Sequence, residues 1–230
     1  MLRRLFVLAL LLLPWFANAQ ALPAPRLGVD YFVLADVQPT YRNGKIEVAE
    51  VFSYACVHCA HFQPKVDAWL QQQAKAGKLK DLRWEYVPAV FGGVWNNFAK
   101  AYLVAEKTGV VKRTHNAVFK AIHEERSLQT GSLEEIADLY ARFGVDRSNF
   151  LAALNEPLLN DQLKLARDFA LRGGVEGTPT LIVAGKYRVV TTRDRGFDGM
   201  LATLDFLLAQ ERAAARKATQ GKAGKSNPGH

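Results

Sequence analysis

Apolar residues fall into three patterns along the 230 positions. Leu5 to Leu13 is a continuous apolar run, Ile46 to Phe52 is nearly one, and from Val66 onward apolar residues mostly return every third or fourth position. The second pattern predicts a strand buried on both faces, with Glu47 and Glu50 as its polar positions. A carboxylate inside such a strand needs a reason, because burying it unpaired is costly. Tyr31 to Leu34 predicts a shorter strand upstream, and Asn43-Gly44 a turn between the two. Downstream, Val66, Trp69 and Leu70 mark one face of a helix that runs to about Gln73. Pro64 lies inside it, removes a backbone donor and predicts a kink. Leu82 to Val87 reads as the next strand, closed by Pro88.

From about Val94 to Arg172 the periodicity is helical and no strand is predicted. Phe98, Ala101, Tyr102 and Ala105 share a face before Gly109, and Val118, Phe119 and Ile122 indicate a second helix. Ser132 and Glu135 form a capping box ahead of Ile136, Ala137 and Tyr140. Phe150, Leu151 and Leu154 predict a short helix, and Leu159, Leu163, Ala166 and Ala170 a longer one. Strand character returns after Gly173-Gly174-Val175-Glu176-Gly177-Thr178-Pro179. Thr180 to Ala184 and Tyr187 to Val190 flank Gly185-Lys186, the pattern of a two-residue hairpin turn. An amphipathic helix over Gly196 to Gln210 closes the order as β, β, α, β, several helices, β, β, α.

The first apolar run changes the picture of where the chain works. Arg3 and Arg4 precede it, Pro14 breaks it, and Ala17-Asn18-Ala19 offers small residues for cleavage, so residues 1–19 read as a secretory signal peptide. The run is too short to span a bilayer. Most of the formal net charge of +8 sits at the two ends. Arg3 and Arg4 leave with the signal, and from Glu211 onward Arg212, Arg216, Lys217, Lys222 and Lys225 face a single acid. With no aromatic residue interleaved among those cations, the tail of 211–230 reads as a solvated, disordered end and not as a nucleic-acid site.

An exported chain with two cysteines, Cys56 and Cys59, is not stapled by them. Closing so short a loop restricts the unfolded chain little. The pair stands where a buried strand turns into a helix. A thiolate there meets unpaired backbone N–H groups and the positive end of the helix dipole, and the spacing brings both sulfurs to one face of the first turn. A strand-to-helix Cys-x-x-Cys is a redox signature. Zinc needs about four ligands and no second Cys/His pair has suitable spacing, so no metal is expected. The residue after Cys59 is Ala60, which lacks the histidine needed for covalent haem attachment, and no other cofactor is implied.

Glu50-Val51-Phe52-Ser53-Tyr54-Ala55-Cys56-Val57-His58-Cys59, Phe91-Gly92-Gly93 and Gly174-Val175-Glu176-Gly177-Thr178-Pro179-Thr180 together resemble the DsbA family of exported thiol:disulfide oxidoreductases. The resemblance covers most of the chain beyond the signal. It implies an α/β, thioredoxin-like fold with an inserted all-helical domain: 20–92 and 174–210 as the two halves of the thioredoxin-like domain, 93–173 as the insertion. It implies that Cys56 exchanges disulfides, that Cys59 is its buried partner, and that Thr178-Pro179 is a cis bond beside them whose backbone grips extended substrate by β-augmentation. The chain departs from many relatives in carrying Gln63 where they have Glu, and Thr178 also occurs in isomerase-type relatives.

Three further roles have a plainer alternative. His58 is either a donor to the Cys56 thiolate or a solvated helix residue. Glu50 is either a buried carboxylate tuning proton transfer at Cys59 or a strand-edge charge. His61, His115 and His123 pack or face solvent. The function expected is donation of the Cys56–Cys59 disulfide to folding exported polypeptides with free cysteines, in the periplasm, by a monomer reoxidised by a DsbB-like quinone-linked membrane protein. A disulfide isomerase or reductase of the same fold, and a peptide-binding module without redox activity, remain alternatives. Isomerases of this type usually carry an N-terminal dimerisation domain, for which the segment before the first strand is too short.

Overall fold

The structure, a computed structural model, describes residues 23–35 and 44–225, with side chains to residue 220. The expected signal peptide, Asn43 and the last five residues lie outside the described residues. Five strands form one mixed sheet in the order β1-β5-β4-β2-β3: β1 Tyr31–Val33, β2 Ile46–Phe52, β3 Leu82–Pro88, β4 Thr180–Val183 and β5 Tyr187–Val189. The pair β2 and β3 is parallel, and the other pairs are antiparallel. Helix α1 (Val57–Lys75) connects β2 to β3. Five helices follow before the chain returns to the sheet: α2 Val94–Lys107, α3 Val111–His123, α4 Leu133–Ala141, α5 Arg147–Leu154 and α6 Leu158–Arg172. The last element, α7, spans Gly196–Lys225.

The near-continuous apolar run of β2 has the reason expected of it: it is a central strand covered on both sides. Side chains alternate along a strand, so Val48 faces Phe62, Val66 and Trp69 of α1 and Met200, Leu204 and Leu208 of α7, whereas Ala49 and Val51 face Phe169 and Ala170 of α6. The same parity turns Glu50 toward α1, between its sheet partners Tyr86 and Leu181. At the end of β2, Phe52 leaves the sheet core and enters the largest cluster, where it meets Tyr54, Tyr86, Tyr102, His115 and Phe119 at centroid separations of 5.1–6.1 Å. Phe52 thereby joins the helical block to the sheet.

Pro64 does not end α1, which continues to Lys75. Pro88 is tolerated because β3 is an edge strand and its missing N–H faces away from the ladder. The Ser132 cap is present, its hydroxyl accepting from the Glu135 N–H at 3.2 Å.

Two expectations need correction. The β4–β5 turn is Ala184-Gly185-Lys186 and not two residues: Val183 pairs with Tyr187, and both Ala184 and Gly185 take positive φ. The tail from Glu211 onward is helical as far as Lys225 and not disordered. Lys186 reaches Glu211 at 2.5 Å, and Arg212 forks onto Asp81 at 2.8 Å, pinning the helix where the expected end lay. Beyond them, Ala, Lys, Arg and Gln extend the helix by propensity with an exposed surface over 213–220.

Replacing Phe52 with Ala should lower unfolding free energy by about 3–5 kcal/mol, because the cavity would open at the junction of sheet and helical block. Urea unfolding followed by circular dichroism measures this. A loss below about 1 kcal/mol would mean that the junction is held elsewhere.

Candidate active site

The turn Ser53–Cys56 delivers the first sulfur. Cys56 N–H donates to the Ser53 carbonyl at 3.1 Å, and Ala55 N–H to the Ser53 hydroxyl at 3.1 Å. Cys56 then occupies the N-cap of α1 in extended conformation, and the backbone N–H groups of His58 and Cys59 in the first turn favour its sulfur as an anion. Cys56 retains 8% exposure and Cys59 none. Both are free thiols.

The two thiols have opposite surroundings. A hydrogen bond from Cys59 holds the Cys56 thiol down to about 5, against the opposing effect of burial, with further help from the Thr178 side chain and the backbone N–H groups of Cys59 and His58. Cys56 Sγ lies 3.3 Å from the Thr178 carbonyl, a contact the protonated thiol makes as donor. Once the proton leaves, that carbonyl offers nothing, and the other groups solvate the anion. Cys59 is pushed far up, first by burial, then by donating to Cys56 and by the nearby charge of Glu50.

Glu50 is buried with 1% exposure, and its Oε2 has no hydrogen-bond partner. Burial, reinforced by the charges of Asp67 and Cys56, pushes its carboxyl up to about 8. The carboxyl therefore holds its proton at neutral pH. His58 contributes its backbone N–H to Cys56, while its exposed ring lines a cleft of about 500 Å³ with Thr178, Pro179, Phe32, Arg188 and Phe197. The peptide bond Thr178-Pro179 is cis. At the rear of the cleft the Arg188 guanidinium lies 4.4 Å from the Phe32 ring centroid and donates to the Gly174 carbonyl. Cys56, Cys59, His58, Glu50, Thr178 and Pro179, scattered over three stretches of sequence, thus meet at the N-terminal end of α1.

Sequence reasoning did not assign the polar chain behind α1. Gln63, buried, donates to Asp67 at 3.0 Å and to the Tyr86 hydroxyl at 2.9 Å, and its Oε1 lies 3.0 Å from His115 Nε2. His115 is buried in turn against Tyr54. His115 shares a helix face with Val118, Phe119 and Ile122, a spacing that signals burial, but its partners lie 52 and 61 positions away in sequence.

Comparison with known proteins places this geometry. A family model described as Thioredoxin matches residues 42–205. The thiol:disulfide interchange protein DsbA of Pseudomonas aeruginosa is 38% identical over 190 residues, covering 83% of this chain and 87% of that protein. The protein of the same name from Azotobacter vinelandii is 36% identical, covering 82% and 86%. Among solved structures, oxidoreductase DsbA from Xylella fastidiosa superposes with a TM-score of 0.75 at 44% identity, over 82% of this chain and 98% of that one. With a thioredoxin-like α/β fold and the Cys56/Cys59 pair at the head of α1, the chain belongs to the DsbA family and is a thiol:disulfide oxidoreductase.

Proposed function

We propose that Cys56 is the exchanging sulfur of a dithiol oxidase that makes disulfides in exported polypeptides. The observation that carries this reading is the asymmetry of the pair: an anion-favouring sulfur at the mouth of the site and a proton-holding sulfur sealed behind it. In the oxidised enzyme a client thiolate attacks Cys56 Sγ, the Cys56–Cys59 bond breaks, and Cys59 leaves with the electron pair. Cys59 needs a proton at that moment, and Glu50 carries one. The client's second thiolate then attacks its own sulfur in the mixed disulfide and expels Cys56 as a stable thiolate. The client has lost two electrons and the enzyme has gained them. Stabilising the reduced form in this way makes the disulfide a stronger oxidant, the effect for which DsbA itself is the standard example.

Thr178 and Pro179 form the substrate-binding edge, where an extended client segment pairs with backbone beside Cys56 and tolerates many side chains. The apolar run and small residues of 1–19 support export to the periplasm. There the monomer would be reoxidised by a DsbB-like, quinone-linked membrane protein. His58 supports the thiolate through its N–H and, from the solvent side, through its ring.

The reduction potential of Cys56–Cys59 against glutathione should be strongly oxidising; a thioredoxin-like value would instead favour the isomerase or reductase reading. Its dependence on pH should bend near 5, where Cys56 titrates. Above the bend the reduced pair holds one proton and the potential falls by about 30 mV per pH unit; below it two protons give about 60 mV. A single steep slope up to pH 8 would mean that Cys56 ionises like a free thiol.

Replacing His58 with Ser keeps the N–H and removes the ring, and should make the disulfide less oxidising by roughly 30 mV, a tenfold change in equilibrium constant. An unchanged or raised potential assigns the ring no part. For Glu50, the rate of client oxidation per unit of client thiolate should fall as pH rises through about 8, because the donor form is lost. The Glu50→Gln variant should be about tenfold slower and lack that descending limb in stopped-flow traces. A variant that keeps both the rate and the limb removes Glu50 from the proton path.

A further inference from the structure

The turn that presents Cys56 is held from outside by α3. Tyr54, two residues before the sulfur and 1% exposed, is gripped at two places. Its hydroxyl lies 2.9 Å from His115 Nδ1, and its backbone carbonyl lies 2.7 Å from His123 Nε2. A carbonyl only accepts, so His123 is the donor there.

The direction of the other bonds follows by elimination from one carboxylate. Asp67 only accepts, so Gln63 must point its NH₂ group at Asp67 and its carbonyl at His115. Facing that carbonyl, His115 Nε2 must carry the ring proton. Nδ1 is then bare and accepts from the Tyr54 hydroxyl. The chain Asp67–Gln63–His115–Tyr54 thus runs in one direction, with the Tyr86 hydroxyl beside both ends of the Gln63 amide, and burial that holds the His115 ring down to about 3 keeps it neutral. Aromatic rings of Phe52, Tyr86 and Phe119 surround the imidazole at 4.4–5.2 Å, which leaves the two hydrogen bonds as its polar contacts.

This arrangement links two elements that move independently in sequence terms. Gln63 belongs to α1, the helix whose first turn carries both cysteines. Tyr54 belongs to the turn entering that helix. Both are tied to α3, and Asn116, next to His115, donates to Asp67 at 2.7 Å from the same side.

We propose that His115 and His123 are positioning residues for disulfide exchange: as a two-point clamp on Tyr54, with His115 also anchoring Gln63, they fix the turn Ser53–Cys56 against α1 and so hold Cys56 Sγ in register with Thr178 and the N–H groups of the first turn. The proposal rests on the reading of Cys56 as the reactive sulfur. It gives the helical block a share in setting sulfur chemistry without touching a reacting atom.

The test uses the whole mature protein and two readouts that a purely structural role would not move: titration of the Cys56 thiolate by its ultraviolet absorbance, and the equilibrium of the Cys56–Cys59 disulfide with glutathione. Tyr54→Phe removes the hydroxyl bond, His123→Leu removes the carbonyl bond, and His115→Leu removes the link to both Tyr54 and Gln63. Each should raise the Cys56 thiol pKa by about half to one unit and shift the glutathione equilibrium roughly three- to tenfold toward a weaker oxidant. His115→Gln, which presents one donor and one acceptor, should recover most of the shift. If His115→Leu fails to fold, Tyr54→Phe and His123→Leu decide the matter. Variants that lose stability yet keep the parent titration and glutathione equilibrium overturn the clamp alone. A parent protein whose Cys56 titrates like free cysteine overturns the reading of Cys56, and the clamp falls with it.

Discussion

The structure depends on a difference in solvation between two sulfurs three residues apart. At the N-terminus of α1, Cys56 can be an anion because Cys59, the Thr178 side chain and the N–H groups of the first turn all offer hydrogens to it. Three residues on, in the same turn, Cys59 sits among apolar side chains with 0% exposure and must keep its proton. One helical turn supplies both environments at once, because its N-cap end is electropositive and open whereas its third residue faces the core. The strand before it, the helix after it and the Thr178-Pro179 segment across from it are the supports that keep those two environments apart.

Glu50 extends this logic into the sheet. Strand parity directs it toward α1, and burial keeps it protonated. An ion pair at that position would have stabilised the charged form and removed the proton. The unsatisfied oxygen is therefore consistent with a group kept for its proton, at a local cost in hydrogen bonding. On the same face of α1 as Cys59, Gln63 performs a neutral task, with its amide bonded to Asp67, Tyr86 and His115.

What could be read from the sequence was what is local or periodic. The buried strand Ile46–Phe52, the order of elements and the Cys56/Cys59 pair at a helix start follow from patterns a few residues wide. Glu50 stood out because a carboxylate interrupts an apolar run, and the resemblance to a known family brought in Thr178 and Pro179. The links among Tyr54, Gln63, His115 and His123 were not legible, since helical spacing reports that a side chain is buried and not which polar atom it will meet. The C-terminal helix shows the converse. Apolar periodicity reports packing, and a segment that packs against nothing can be helical through its Ala, Lys and Arg content alone, as 213–220 is.

The rear wall of the cleft beside Thr178 is set by a residue with no side chain. Gly174 takes φ +60, and a Cβ there would stand 2.6 Å from Arg188 Nη1. Any larger residue would have to dislodge the guanidinium from its seat on Phe32, and the wall would retreat with it. A substitution at this one glycine would therefore reshape the cleft that His58, Thr178 and Pro179 also line.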